Sequence, residues 1–267
     1  MIEPQNEVPF PDHIDVSRLL AESMLAGIEY LPSVGSTQDY VQGLVANQTF
    51  NNEQLPLLVI ADEQTAGRGR GTNRWWTGQG SLAFTLLLDP QQFGLPNRPV
   101  PQASLAVGVA VIDTIQKWIE PLPIGLHWPN DVFAAGRKLS GILIDVLPDS
   151  RHIVGVGLNV NNAFAAAPAE VRDRATSLLD LSGRRFDRTE VLLAFLTNLE
   201  RTLTQLAVDP ELLGDRFADL CLQVGHDLTI ESSGRKTSGR CAGIDRDGAL
   251  LLDTFNGRQK IYSGVLR

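Results

Sequence analysis

Residues 62–76 read DEQTAGRGRGTNRWW and follow an apolar run, LPLLVIA, at 55–61. The apolar run predicts a buried strand. In the segment after it, glycines at 67, 69 and 71 let the backbone approach a ligand closely, and Arg68 and Arg70 carry planar, permanently charged groups suited to carboxylate and phosphate. A Gly/Arg loop leaving a strand is a candidate anion site, although in isolation the pattern is also typical of a solvated surface loop. The spacings of a Walker loop and of a dinucleotide fingerprint are absent.

The composition is that of an ordinary acidic globular protein. The 267 residues are 43% hydrophobic and 20% charged, with a net charge of −8, and the length suits one large domain plus a small one. The acidic balance argues against a general nucleic-acid binder. Cys221 and Cys241 have neither metal-ligand spacing nor a disulfide framework, which fits a reducing cytoplasm. The start is unlike a signal peptide and no apolar run approaches the ~20 residues that span a membrane, so we expect a soluble cytoplasmic protein with no membrane partner.

Strand-like and helix-like segments are mixed along the first two thirds of the chain. Apolar runs that predict strands lie at 55–61, 81–88, 124–128, 132–135, 139–147 and 152–160. Helical spacing or capping signals predict helices at 103–119, 187–207 and 209–221. The pattern predicts an α+β fold, in which a mixed β-sheet is packed with helices. We expect residues 1–30 to be an N-terminal arm and residues 31–222 to be the main domain.

The sequence pattern changes in the last part of the chain. Short alternating strands are separated by turns such as Asp247-Gly248 and Asn256-Gly257. About 45 residues are too few to bury a large core alone, so a small β-barrel over 223–267, docked on the main domain, is expected.

Four polar clusters lie at predicted strand ends or turns, where a mixed sheet can bring them to one edge. They are Ser36-Thr37, Gln64 to Arg70, His127 to Asp131, and Arg137-Lys138. In this order and spacing the sequence resembles the biotin protein ligases, also called biotin–[acetyl-CoA-carboxylase] ligases, from about residue 33 to the end. The further motifs that carry the resemblance are Trp75 with Gly80-Ser81-Leu82, Leu139-Ser140-Gly141-Ile142-Leu143, Gly155-Val156-Gly157-Leu158-Asn159-Val160-Asn161 and Gly243-Ile244-Asp245-x-x-Gly248-Ala249-Leu250-Leu251.

The resemblance implies a fold and a reaction. The fold is a class II synthetase-like catalytic domain with an SH3-like C-terminal barrel. The family uses ATP with Mg²⁺ to convert biotin into biotinyl-5′-AMP with release of pyrophosphate, and then transfers biotin to a lysine of a biotin carboxyl carrier protein of acetyl-CoA carboxylase. About 30 residues precede Ser33, too few for the helix-turn-helix of the family's regulatory members, so DNA binding is not expected. Family members occur as monomers or homodimers, and the sequence leaves that open.

The resemblance also implies residue roles. Biotin contacts are expected from Ser36, Thr37, Gln38, Gln64, Arg68, Gly69, Arg70, Lys138 and Gly141. ATP contacts are expected from Arg70, Trp75, Asn130, Asp131, Lys138 and Asn159. Lys138 and Arg70 are the expected catalytic residues, since joining a carboxylate to a phosphate needs cations placed beforehand. No metal site held by the protein itself is expected.

Some positions depart from the family pattern or have a second interpretation. His127 stands where the family usually has lysine, Gln38 replaces an asparagine, and Asn73 occupies a position that is normally arginine, with Arg74 next to it. All four histidines of the chain are expected to be structural. Asp131 and Asn159 are also typical turn-formers, and Trp128-Pro129 is also typical of packing beside a rigid turn.

The sequence leaves two other functions open. One is a lipoate or octanoate ligase, which shares the fold; the intact Gly-Arg-Gly-Arg and Trp-Pro-Asn-Asp motifs favour biotin. The other is a non-enzymatic protein whose Arg-Gly loop binds RNA or an acidic partner, which the net negative charge disfavours.

Overall fold

The computed structural model describes residues 13–47, 49–50, 52–232 and 234–266. The larger of its two sheets has seven strands, which are β1 Gly27–Val34, β2 Leu57–Gln64, β3 Leu82–Leu88, β4 Ile124–His127, β5 Asp131–Ala134, β6 Arg137–Val146 and β7 His152–Leu158. Their order across the sheet is β1-β2-β3-β7-β6-β5-β4. Only the β1–β2 pair is parallel among these neighbours, so the sheet is mixed. The largely apolar sequences of β3 and β7 suit their central position, where both strands are buried along their whole length.

Helices cover this sheet. They are α1 Val16–Glu22, α2 Thr37–Asn47, α3 Ala103–Ile119, α4 Ala169–Arg172, α5 Leu178–Ser182, α6 Arg188–Val208 and α7 Pro210–Asp219. The core between sheet and helices is well packed; for example, the ring of Phe84 in β3 meets that of Phe195 in α6 edge-on, with centroids 5.3 Å apart. Asp187 caps α6 as its sequence predicts, because its carboxylate accepts from the backbone N–H groups of Thr189 and Glu190.

The start of the described chain belongs to the main domain, which corrects the predicted arm. The predicted boundary at residue 30 falls inside β1, an edge strand of the main sheet. Helix α1 also contacts α6, since Arg18 Nη1 lies 2.6 Å from Glu190 Oε1 and the backbone N–H of Asp15 donates to Thr189 Oγ1 at 3.0 Å. The remainder of the predicted arm, residues 1–12, lies outside the described residues.

The C-terminal part forms a separate antiparallel sheet. Its strands are β8 Asp227–Ser232, β9 Arg235–Ile244, β10 Leu250–Thr254, β11 Gly257–Ile261 and β12 Val265–Leu266, in the order β11-β10-β9-β8-β12. The predicted α+β architecture, a mixed sheet with helices followed by a small β domain, is confirmed. Within the described residues, no helix combines the length and the apolar character needed to cross a membrane.

Specific polar contacts dock the small sheet on the main domain. The guanidinium of Arg246, in the β9–β10 turn, pairs with Asp215 at 3.0 Å and with Glu211 at 2.9 Å, both in α7. The indole N–H of Trp128, just after β4, donates to the carbonyl oxygen of Gly248 at 3.2 Å. Because Trp128 is 1% exposed, this contact lies in the interior of the joint. Trp128 therefore packs between the two domains, and it also borders the cavity described below.

Candidate active site

A cavity of about 200 Å³ opens where the end of β2, the start of α2, the β4–β5 turn and the central parts of β6 and β7 meet. Nearly all the site residues that the sequence predicts line this cavity. Its walls include Ser36, Thr37, Gln38, Gln64, Arg68, Gly69, Arg70, Trp75, Asn130, Asp131, Lys138 and Gly141.

One part of the wall is a buried polar network at the start of α2. The Oε1 atom of Gln64 accepts from the backbone N–H of Thr37 at 2.8 Å and from its hydroxyl at 3.0 Å. Thr85 Oγ1 donates to Thr37 Oγ1 at 2.8 Å, and Gln38 Nε2 donates to the carboxylate of Asp145 at 2.9 Å. Side chains that hold one another in this way present fixed donors and acceptors. The network suits a small polar ligand group that both donates and accepts hydrogen bonds.

The floor of the cavity depends on glycines, because other groups approach the backbone closely there. Gly141 of β6 pairs with Gly157 of β7. A Cβ atom on Gly157 would lie 2.2 Å from the ring of Trp75, and one on Gly155 would lie 2.5 Å from Gln38 Oε1. Trp75 therefore lies flat against a floor without side chains. Its indole nitrogen is buried and has no hydrogen-bond partner within the described chain, so it is an available donor for a ligand.

The Arg-Gly loop is closed on itself by backbone contacts. The N–H of Trp75 donates to the carbonyl of Gly67 at 2.9 Å, and the N–H of Gly69 donates to the carbonyl of Asn73 at 2.9 Å. Arg68 pairs with Asp39 of α2 at 2.5 Å. Asn73 and Arg74, where the sequence departs from the family pattern, both line the cavity.

Arg70 connects the loop to the C-terminal domain. Its Nη2 group donates a hydrogen bond to the carbonyl oxygen of Gly264, just before β12. Burial lowers the pKa of Arg70, while the carboxylate of Asp131 raises it. A guanidinium is so strong a base that the side chain stays a cation. A permanent positive charge is thus held at the cavity by both domains.

Lys138 lies in β6, beside the β5–β6 turn and not at its tip. Its Nζ atom is 2.7 Å from Asp131 Oδ1 and 5.7 Å from the centroid of the Trp75 ring. The side chain is 32% exposed, and its backbone N–H donates to the carbonyl of Arg174 at 2.9 Å. The lysine is thus positioned by an ion pair, a ring face and its strand.

The two asparagines predicted on the nucleotide side differ in placement. Asn130 lines the cavity and donates to the carbonyl of Ile142 at 2.6 Å, which holds the β4–β5 turn against β6. Asn159 is 2% exposed, is not part of the cavity wall, and its Oδ1 accepts from Asn162 at 3.1 Å. The structure therefore does not bring Asn159 together with the other predicted residues.

Other wall residues were not predicted as site residues. They are Phe84, Thr85, His127, Leu143, Gly155, Val156, Gly157, Val265 and Leu266, among others. The Gly155-x-Gly157 spacing was a usable signal, since two glycines on one face of a buried strand indicate a close approach. His127 was predicted to be structural, yet it borders the cavity, with its ring stacked on Phe133 at a centroid distance of 4.3 Å.

Metal ligation by a protein depends on a cluster of suitable side chains. The described side chains contain no group of three or more His, Cys, Asp or Glu residues that could hold a metal ion. Asp131, the one carboxylate among the described residues of the cavity wall, is paired with Lys138.

Comparisons with known proteins match both domains. Residues 30–161 match the Biotin/lipoate A/B protein ligase family, and residues 228–265 match the Biotin protein ligase C terminal domain. The Bifunctional ligase/repressor BirA of Bacillus spizizenii is 34% identical over 254 residues, which are 92% of this chain and 75% of the relative. The Biotin–[acetyl-CoA-carboxylase] ligase of Mycobacterium tuberculosis is 34% identical over 242 residues, or 89% and 88% of the two chains.

A solved structure agrees with these sequence matches. The biotin protein ligase from Aquifex aeolicus, in complex with biotin and ATP, superposes with a TM-score of 0.77 at 30% identity and covers 90% of this chain and 97% of its own. The predicted resemblance is confirmed, and the lipoate alternative is not favoured. This chain belongs to the biotin protein ligase family.

Proposed function

We propose that this protein activates biotin with ATP, forming biotinyl-5′-AMP and pyrophosphate, and then transfers biotin to a lysine of a carrier protein. The single observation that supports this best is one cavity that combines the Thr37–Gln64 network, the glycine floor under Trp75, and the cations of Lys138 and Arg70. The Aquifex relative, whose structure contains biotin and ATP, has the same fold.

In this proposal the biotin ring binds at the polar network. Ser36, Thr37, Gln38 and Gln64 suit a cyclic urea, which has both N–H donors and a carbonyl acceptor. The apolar chain of biotin would run along the Trp75 ring, which packs on the glycine floor at Gly141 and Gly157. Its carboxylate would reach Lys138 and the Arg-Gly loop, including Arg68 and Gly69.

The nucleotide would bind on the side of the β4–β5 turn. Asn130 and Asp131 border that part of the cavity, and Trp75 has a free indole N–H. Asn159, which does not border the cavity, would act on ATP only indirectly. Its carbonyl accepts from the N–H of Leu178 at 3.1 Å, which shapes the segment after β7.

The first reaction step joins two anions. The biotin carboxylate attacks the α-phosphorus, and negative charge accumulates on the phosphate oxygens as pyrophosphate leaves. Lys138 and Arg70, which are positioned before the ligands arrive, would offset that charge. Mg²⁺ bound to the ATP phosphates would supply further positive charge. Asp131 would hold the Lys138 ammonium in place.

The partner and the location are further parts of the proposal. A relative that is 34% identical is named a biotin–[acetyl-CoA-carboxylase] ligase, which supports the biotin carboxyl carrier protein of acetyl-CoA carboxylase as acceptor. The two free thiols, Cys221 and Cys241, support a cytoplasmic location.

Biotin-dependent exchange of pyrophosphate into ATP tests the adenylation step directly. We expect exchange with biotin, and no exchange with lipoate or octanoate at the same concentration. Exchange supported by lipoate or octanoate, but not by biotin, would contradict the proposal. Absence of exchange with all three acids would favour a binding protein.

A further inference from the structure

His127 is a cavity-wall residue to which the reaction described above assigns no role. It is the last residue of β4 and pairs in register with Asp131 of β5. Its ring stacks on Phe133 with an interplanar angle of 15°, so its orientation is fixed. Within the described residues, no other side chain forms a hydrogen bond with the ring. A fixed imidazole without such a partner, at the edge of a reactive cavity, is available for proton transfer.

The surroundings of His127 keep it neutral. Burial lowers its pKa, and the nearby ammonium of Lys138 lowers it further, whereas the Asp131 carboxylate and the residue's own backbone carbonyl raise it. Arg68, Arg70 and Arg74 of the Arg-Gly loop are the other charged groups in the cavity wall. With its pKa below the ordinary value of about 6.5, the imidazole is uncharged and basic at neutral pH.

The proposed transfer step needs a base. A lysine side chain has a pKa of about 10.4, so only roughly one carrier lysine in 2,500 is a free amine at pH 7. Lys138 is a cation and cannot accept a proton. The carboxylate of Asp131 is engaged in an ion pair with Lys138 at 2.7 Å. Of the titratable groups that border the cavity, His127 is the one suited to this task.

We propose that His127 is the catalytic base that accepts a proton from the carrier's lysine ammonium for its attack on biotinyl-AMP. The inference rests on the proposed function. The freed amine forms an N–C bond to the biotinyl carbonyl carbon. The bond between the carbonyl carbon and the bridging phosphate oxygen then breaks, and AMP leaves with the electron pair. The second proton passes from the nitrogen to the departing phosphate, and His127 returns the first to solvent.

The test separates the two half-reactions. Biotinyl-AMP is formed on the enzyme, the carrier domain is added, and single-turnover transfer is followed from pH 5.5 to 9. In parallel, pyrophosphate exchange reports adenylation. In His127→Gln we expect transfer at pH 7 to fall on the order of 100-fold, the scale typical of general base catalysis. Exchange should fall much less, which also shows that the variant is folded.

The pH profile gives the signature that a merely structural role would not produce. Wild-type transfer should rise with pH up to the pKa of His127 and then level off. In His127→Gln the rate should keep rising about tenfold per pH unit toward pH 9, since free amine is then supplied by solvent. In His127→Ala, added imidazole should restore part of the rate. His226→Gln, which changes an exposed histidine next to β8, is the matched control and should resemble the wild type.

Three results would overturn the role of His127: equal losses of exchange and transfer, an unchanged pH profile, or no response to imidazole. A wild-type enzyme without biotin-dependent exchange would instead refute the proposed function, before the question of the base arises.

Discussion

Lys138 Nζ lies 2.7 Å from Asp131 Oδ1, so the cation expected to act on two anionic substrates is already paired with a carboxylate of the protein. The two residues face each other from neighbouring strands, β6 and β5. The pair is partly buried, which keeps solvent screening modest. Asp131 fixes where the ammonium is, and Trp75 covers one side of it. Positioning of this kind is what electrostatic catalysis requires, since the charge must not reorganise during the reaction.

Removing the ammonium should therefore affect chemistry more than binding. We expect Lys138→Ala to slow biotin-dependent pyrophosphate exchange on the order of 100-fold or more, the scale seen when one preorganised donor is lost. ATP affinity, measured by calorimetry, should change far less. Lys117→Ala is the control, because Lys117 also lies over a tryptophan ring, that of Trp118, but far along the exposed face of α3. Unchanged exchange in Lys138→Ala would remove this lysine from the mechanism.

The same pair also acts on the pKa of His127. Burial is the main cause that lowers this pKa, the Asp131 carboxylate raises it, and the Lys138 ammonium lowers it further. Asp131→Asn should thus lower the His127 pKa further, and Lys138→Met should raise it. The imidazole C–H resonance, followed by NMR against pH, measures both shifts. Shifts of the same sign in the two variants would show that the rearranged cavity, and not the removed charge, governs the histidine.

Gly157→Ala should block the cavity by moving Trp75. The added Cβ would be 2.2 Å from the indole ring, which is rigid and has no flexible end that can move aside. We expect KM for biotin to rise at least about tenfold, which corresponds to roughly 1.4 kcal/mol of lost binding. Gly43→Ala in α2 is the control, since its Cβ would meet nothing within 4 Å and alanine favours the helix. Unaltered biotin affinity in Gly157→Ala would mean that Trp75 does not shape the biotin path.

The sequence predicts the central elements well, because apolar runs and helical spacing directly reflect burial. It fails where position is decided by distant parts of the chain. The edge strand β1 contains Pro32 and a mixed pattern of exposure, so its sequence does not indicate a strand. Asn159 follows β7 as expected, yet its amide turns toward Asn162 and away from the cavity. The local sequence does not indicate in which direction the Asn159 amide points.

His127 and β12 illustrate the same limit for the site. A single histidine at a strand end is usually structural, and only the register with Asp131 and the stacking on Phe133 bring it to the cavity wall. Val265 and Leu266 form a two-residue strand without any recognisable pattern. They reach the cavity because the C-terminal sheet docks through Arg246 and Trp128. Site residues contributed by docking between domains are not visible in a local motif.

Proteolysis can show whether bound biotin and ATP close the Arg-Gly loop over the cavity. The loop presents Arg68 and Arg70 between three glycines, and a bound anion would pair with both side chains. Trypsin cleavage after these arginines should slow when biotin and ATP are present together. Cleavage after Arg184, which lies in an exposed segment between α5 and α6, serves as the internal control. Equal protection at all three sites would indicate global stabilisation by ligand instead of loop closure.

Removal of the last strand should release the reaction intermediate. A chain ending at Tyr262 lacks β12 and Gly264, whose carbonyl accepts from Arg70, but keeps the β8–β9 and β9–β10 pairing of the small sheet. Arg70 would lose its partner and the cavity would lose the wall at Val265. A hydrogen bond to a charged group contributes about 1.5–3 kcal/mol, so biotinyl-AMP should dissociate roughly tenfold faster or more. Two measurements report this loss: stopped-flow release of the adenylate, and biotinylation of lysines on bystander proteins.

Phe255→Ser, at the fully exposed tip between β10 and β11, is the control and should retain the adenylate as the intact protein does. Retention that is equally long in the shortened chain would mean that the C-terminal strand does not close the cavity.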